Sequence, residues 1–170
     1  MTSWKGAPLI NQKQNSFDDL VAIREAVETD YNFIFDCWRR SYAESEFAKK
    51  IPAQTFFLKH HRWIEKILRN AKVLIACSKD FPDEIRAWIC FGEEEEEVRM
   101  NMKNHDATAD VMPPVLHFCY VRGPFRKLGL ASYMIKKAGL PKNSEVSHIN
   151  DDGKWIVKGR IYNPYRFFHD

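Results

Sequence analysis

Val115-Leu-His-Phe-Cys-Tyr-Val121, followed at once by Arg122-Gly-Pro-Phe-Arg126-Lys-Leu-Gly129-Leu-Ala131, is the stretch from which the fold is read. The first seven residues are strongly apolar and predict a strand, which Gly123-Pro124 ends. Leu130, Met134, Ile135 and Ala138 then recur at helical spacing. A short helix is expected over 128–139, closed by Gly139 and Pro141. A strand, a glycine-bearing turn and a helix in succession aim backbone N–H groups at one point. The helix dipole adds partial positive charge there, so the turn suits an anion such as a pyrophosphate. Gly129 permits close backbone approach and Ala131 keeps the first helical turn small. Arg122, Arg126 and Lys127 add positive charge nearby.

Upstream, the period tells helices from strands. Leu20 to Arg24 reads as a short strand with Val21 and Ile23 on one face. Thr29 or Asp30 can cap a helix carrying Tyr31, Ile34, Phe35, Trp38 and Tyr42 at helical spacing. A second helix is expected over 53–70, with Pro52 just before it. The period then changes to two, and strands are expected over 72–77 and 85–91, joined by a turn at Asp80-Phe-Pro-Asp83. Five consecutive carboxylates, Glu93 to Glu97, predict a solvated loop or strand end, and 98–112 reads as loop.

Downstream, Glu145 to Ile149 is expected as a strand, Asp151-Asp-Gly153 as a tight turn and 155–162 as the returning strand of a hairpin. Residues 1–17 show little periodicity and read as a flexible N-terminal arm, leaving 18–170 as one domain. The order β-α-α-β-β-β-α-β-β gives an α/β (α+β) class, with helices packed on a mixed, mostly antiparallel sheet.

Composition narrows the function classes. At 45% hydrophobic and 14% aromatic, the 170 residues hold too much apolar mass for a disordered chain. No apolar run reaches the ~20 residues of a membrane span, and the polar start, Met1 to Asn15, lacks the apolar centre of a signal peptide. Cys37, Cys77, Cys90 and Cys119 are widely spaced inside apolar patterns. They read as buried reduced thiols rather than zinc ligands, and imply a cytoplasmic compartment. His60 and His61 are neighbours on one helix, face ~100° apart and cannot chelate one metal together; one should lie at the core edge and the other in solvent. Trp38, Trp63, Trp88 and Trp155 fall on periodic faces and read as core.

Arg126-Lys127-Leu128-Gly129-Leu130-Ala131 resembles the acetyl-coenzyme A motif Arg/Gln-x-x-Gly-x-Gly/Ala of the GNAT superfamily of N-acetyltransferases, which follows that family's fourth strand. Tyr120-Val121 and Phe125 fit the family's pattern too, and the order of elements matches over about residues 20 to 140. The resemblance implies that acetyl-CoA is the co-substrate and that no metal is needed. Backbone N–H groups of Leu128 to Ala131, with Arg126 and Lys127, would hold its pyrophosphate, and Ser132 would add a hydroxyl. Cys119, Tyr120 and Val121 would pair by backbone with the pantetheine arm. The N–H near Val121 would polarise the thioester carbonyl.

Acetyl transfer needs a neutral amine, and a lysine-type amine with pKa ~10.4 needs a base. The position matching the family's usual glutamate is near Val115, which cannot serve. His117, two residues on and on the same strand face, is the candidate base; the alternative is a packed strand histidine. The Glu93 to Glu97 run either supplies a base through water, attracts a cationic acceptor, or is a solvated face. The family's tyrosine acid sits on a helix for which this sequence has no room, so its C-terminal part is shortened. Tyr162 and Tyr165 are the candidates in its place, against an aromatic tail packed on the sheet. Cys119 is either a reactive thiol or strand packing.

Two functions follow. One is transfer of an acetyl group from acetyl-CoA to a primary amine of a protein or small molecule. The other is a catalytically inactive GNAT-fold binding or structural protein. The tail Ile161 to Phe168 also resembles compact phage-encoded members, which would act in the host cytoplasm. A net charge of +3 and the lack of a recognition motif argue against nucleic acid as partner. Strand edges near the C terminus offer a place for a homodimer to pair.

Overall fold

The computed structural model describes residues 17–46, 48–93, 95–100, 107–149, 153, 156 and 158–166. Apart from Phe17, the expected N-terminal arm lies outside them. So do Trp155 and, but for Gly153, the expected Asp151–Gly153 turn.

The helices fall where the apolar period places them. The one-turn α1 (Phe17–Leu20), which the sequence did not announce, leads into β1 (Val21–Glu25), α2 (Tyr31–Ala43) and α3 (Ala53–Asn70). Asp30 does not cap α2 by its side chain as expected. Its carboxylate instead accepts from Arg24 at 2.6 and 2.9 Å and from the Val27 N–H at 2.8 Å. A buried carboxylate satisfies more hydrogen bonds from a guanidinium and a turn N–H than from one helix end.

β2 (Lys72–Ser78), β3 (Ile85–Gly92) and β6 (Val115–Val121) form with β1 an antiparallel run in the order β1-β2-β3-β6. β3 is apolar on both faces because both are covered. Trp88 and Cys90 pack with Trp38, Ile64 and Phe118 beneath α2 and α3. Ala87 and Ile89 pack with Leu116, Leu130 and Met134 beneath α4 (Leu130–Lys137). Trp38 and Trp88 are buried, as expected, and of the histidine pair His60 is buried while His61 is exposed.

Two expectations are corrected. Part of the expected loop, 98–112, belongs to an antiparallel ribbon of β4 (Glu95–Met100) and β5 (Ala107–Met112), outside the main sheet. An extended backbone rises about 3.3 Å per residue against 1.5 Å in a helix, so it is the regular conformation that a carboxylate run resists least. Among the described residues the C-terminal strands do not pair as the expected hairpin. β7 (Glu145–Val146) and β8 (Ile161–Tyr162) are two residues each and pair in parallel, while Ile156 and 158–160 lie in turns and bends. The long connection permits a parallel return. Arg160 holds it by donating to Ser144 Oγ at 2.9 Å and to the Ile156 carbonyl at 3.2 Å. β8 is the outer strand of the sheet, with Ile161 and Tyr162 exposed.

Candidate functional site

The site begins where two strands part. β6 and β7 run parallel but pair only through Val115–Glu145 and Leu116–Val146. Ser147 N–H donates to the Leu116 carbonyl at 3.1 Å; past this rung, among the described residues, the pairing stops, and a small chamber lies between Leu116–Cys119 and Val146 and His148. At the same level β6 carries a bulge against β3. Phe91 faces Leu116 and Cys90 faces Phe118, so His117 is the extra residue. A bulge reverses which backbone groups face which edge. Beyond it, Arg122 N–H donates to the Arg86 carbonyl next to β3, at 2.9 Å. By alternation the backbone groups of Cys119 and Val121 face the edge opened by the splay.

The turn that follows is tightly built. Phe125 N–H donates to the Arg122 carbonyl at 2.9 Å and Arg126 N–H to that of Gly123 at 3.1 Å. Arg126 Nε donates to the Val121 carbonyl at 2.9 Å. Lys127 has φ +63°, uncommon for a residue with a side chain, and Gly129 has φ +92°. A Cβ at Gly129 would come no closer than 3.7 Å to Phe17, which is ordinary contact. The glycine is therefore required by its backbone angle rather than by crowding within the chain. α4 starts immediately after it, with Tyr133 N–H donating to the Gly129 carbonyl at 3.1 Å.

Between the splayed strands and this turn lies a cleft of about 480 Å³. Of the expected co-substrate residues, Cys119, Tyr120, Val121, Arg126, Lys127, Gly129, Leu130, Ala131 and Ser132 all line it. Leu128 does not, and its side chain is exposed. Ser41 on α2 joins the lining from the opposite side, a contribution no local motif announces.

The candidates for proton transfer are placed differently. His117 is buried and lines a chamber of about 30 Å³ that shares Phe118, Cys119, Gly153 and Ile156 with the main cleft. It shares a face with Val115, as expected. A Cβ at Gly92 would meet Val115 Cγ1 at 2.9 Å and His117 Nε2 at 3.5 Å. Burial, with the Arg166 guanidinium adding like charge, lowers the His117 pKa to about 4, so the ring is neutral. His117 Nδ1 lies 2.8 Å from Ser147 Oγ, which lies 2.7 Å from His148 Nδ1. His148 also lines the chamber. No motif marks Ser147 and His148; two adjacent polar residues inside the expected 145–149 strand are the available signal.

Tyr162 and Tyr165 are not among the residues lining the cleft, and both are exposed. The tyrosine that does line it is Tyr120, whose phenol pKa is raised by burial and which is therefore protonated at neutral pH. Burial pushes the Cys119 thiol up to about 12, which leaves almost no thiolate and makes the packing reading of this cysteine the better one. Among the described residues no group of three or more His, Cys, Asp or Glu could hold a metal ion, and no helix is long and apolar enough to cross a membrane.

No protein-family model matches the chain, and no curated protein matches it by sequence. Solved structures do match it. A point mutant of the BH1408 protein from Bacillus halodurans aligns at TM-score 0.51 and 13% identity, over 81% of this chain and 87% of that one. A tetramutant of the same protein aligns at 0.50 and 14%, over 87% and 90%. A structure described as histone acetyltransferase HPA2 and related acetyltransferase from Corynebacterium glutamicum aligns at 0.47 and 15%, over 71% and 70%. At these identities the likeness is one of fold. The order of the mixed, mostly antiparallel sheet, the bulge in β6 and the turn entering α4 give the GNAT-like fold expected from the 126–131 motif.

Proposed function

We propose that the protein transfers an acetyl group from acetyl-CoA to a primary amine of a protein or small molecule. One observation carries this reading: Cys119, Tyr120 and Val121, past the His117 bulge in β6, line the same cleft as Arg126, Lys127 and Gly129 to Ser132. Acetyl-CoA, when bound, supplies the acetyl group as a thioester. The residues of the cleft suit it in kind. Backbone N–H groups at the start of α4 offer donors to a pyrophosphate, with Arg126 and Lys127 adding charge. Cys119 and Val121 offer edge pairing to an amide-bearing arm, and the Val121 N–H is the candidate for polarising a carbonyl. His117 is the candidate base. Tyr120 is a better-placed acid than Tyr162 or Tyr165, because it lines the cleft. The four free cysteines suit a reducing, cytoplasmic setting.

A second reading is a protein that binds the co-substrate without turnover, favoured by the burial of His117. Thermal unfolding with and without acetyl-CoA, followed by an amine panel, separates the two. Ligand at 100 times its dissociation constant adds about 2.7 kcal/mol of stability and raises the melting temperature. No shift at millimolar acetyl-CoA would overturn both readings. A shift without acetylation of any amine would leave the binding protein.

A further inference from the structure

We infer that Phe17 and Asp18 are positioning residues: the segment Phe17–Leu20 clasps the 125–129 turn at both ends and holds it in the shape that offers backbone N–H groups to acetyl-CoA. The inference deepens the acetyl-transfer reading, on which its binding consequence rests; the clasp itself is a property of the chain alone.

The turn needs holding. Two of its residues have positive φ, Lys127 at +63° and Gly129 at +92°. Glycine adopts such an angle freely, whereas a lysine there is strained. Strain of this kind persists only where the surroundings over-determine it. Lys127 lies between Phe125 and Gly129, and both of these are tied to the N-terminal segment.

The first tie runs through β3. Arg86 Nη1 donates to the Leu20 carbonyl at 2.8 Å, and the guanidinium lies over the Phe125 ring, 5.0 Å from its centroid. Glu84, 3.1 Å from Arg86 Nη2, fixes the direction of that side chain.

The second tie is direct. Phe17 is the nearest group to a Cβ placed on Gly129, at 3.7 Å, and its ring lies 5.2 Å from that of Tyr133. Asp18 Oδ1 accepts from the Tyr133 hydroxyl at 2.6 Å and lies 2.7 Å from Lys137 Nζ. Tyr133 and Lys137 are one turn apart on α4, so Asp18 grips the helix whose start supplies the N–H donors. Val21, next in the chain, is buried with Leu130 and Met134 and pairs with Ser78, which anchors the segment in the sheet.

The Asp18 contacts are exposed, and exposed ion pairs add little to global stability. Their effect is on the local equilibrium of the turn. A site that holds its binding shape for only a fraction of the time binds more weakly by that fraction, so competence of about one-tenth raises Kd about tenfold.

Amide hydrogen exchange by NMR reads the turn without any ligand. The reporters are the Phe125, Arg126 and Tyr133 amides, which donate to the carbonyls of Arg122, Gly123 and Gly129. In the double variant Phe17→Ala, Asp18→Asn they should exchange about tenfold faster than in the wild type, with the amides of β3 unchanged. Kd for acetyl-CoA, by calorimetric titration, should rise about tenfold. Asp18→Asn alone changes one exposed side chain and should show both effects at about threefold. Asp18→Glu, which keeps the carboxylate, should restore wild-type values. Unchanged exchange at the reporters in Asp18→Asn and in the double variant overturns the clasp. So does a rise shared equally by β3, which is a general loss of stability. Faster exchange with an unchanged Kd overturns the coupling to binding. Absence of acetyl-CoA binding by the wild type overturns the acetyl-transfer reading instead, and the exchange comparison still decides the clasp.

Discussion

Arg126 folds back on the strand it follows, its Nε donating to the carbonyl oxygen of Val121 at 2.9 Å. One side chain thus ties the end of β6 to the turn that precedes α4. The same guanidinium stands among the cleft residues that would meet a phosphate. Arg126→Ala should weaken acetyl-CoA binding by about tenfold, or ~1.4 kcal/mol. The free protein should melt almost unchanged, since the side chain is exposed. Calorimetric titration beside a melting curve checks both halves.

Gly129 separates backbone strain from crowding. With φ +92° and nothing closer than 3.7 Å to a Cβ, Gly129→Ala should cost about 1–2 kcal/mol through the left-handed angle alone. Gly129→Val adds β-branching at the same angle and should cost more, with loss of detectable acetyl-CoA binding. Urea unfolding of both variants, beside a ligand titration, gives the comparison.

The Arg24–Asp30 pair makes a pH prediction. The hydrogen bond from Arg24 holds the Asp30 carboxyl below the usual carboxylate range, against the opposing effect of burial. A carboxylate lowered on folding contributes stability that is present above the unfolded pKa of ~3.9 and lost as pH falls through the folded value. Arg24→Met should cost about 1.5–3 kcal/mol at pH 7. It should also lose less on further acidification below pH 4 than the wild type does. Unfolding midpoints at pH 7, 4 and 3 check the sign.

Buried histidines act at higher pH. His60 stacks against Tyr42 and Phe56, its Nε2 has no hydrogen-bond partner among the described residues, and burial lowers its pKa to about 4. Between that value and the unfolded ~6.5, the unfolded chain binds more protons, so stability falls as pH falls. The slope is at most about 1.4 kcal/mol per pH unit for each such ring. His117 and His148 are lowered too and add to it. His60→Phe keeps the stacked ring and removes one proton site. It should therefore lose visibly less stability than the wild type between pH 7 and 5, measured by urea midpoints.

The sequence was most readable where one force dominates. The bounds of α3 and of β6 match the expected 53–70 and 115–121, because apolar periodicity decides them. The 126–132 turn was legible because a glycine with a required angle stands between a strand and a helix. Legibility failed where partners are distant. Asp30 looked like a cap until Arg24 was placed beside it, and Glu145 to Ile149 looked like half of a hairpin. Ser147 and His148 were missed because their meaning depends on His117, thirty residues away along the chain. The ribbon pairs Glu95–Met100 with Ala107–Met112, in a stretch where charge outweighs any apolar signal.

Two strands of two residues are too short to hold the far wall of the cleft by ladder bonds alone. Arg166 supplies the missing grip: Nη2 donates to the Pro113 carbonyl at 2.8 Å, before β6, and Nε lies 3.2 Å from Glu145 on β7. Asn163 adds a bond to the same carboxylate at 3.1 Å. The vertex at which β6 and β7 part is therefore held by charge as well as by the packing of buried Val146. A buried pair is little screened by salt, so the aperture should be indifferent to ionic strength yet sensitive to the loss of a single carboxylate.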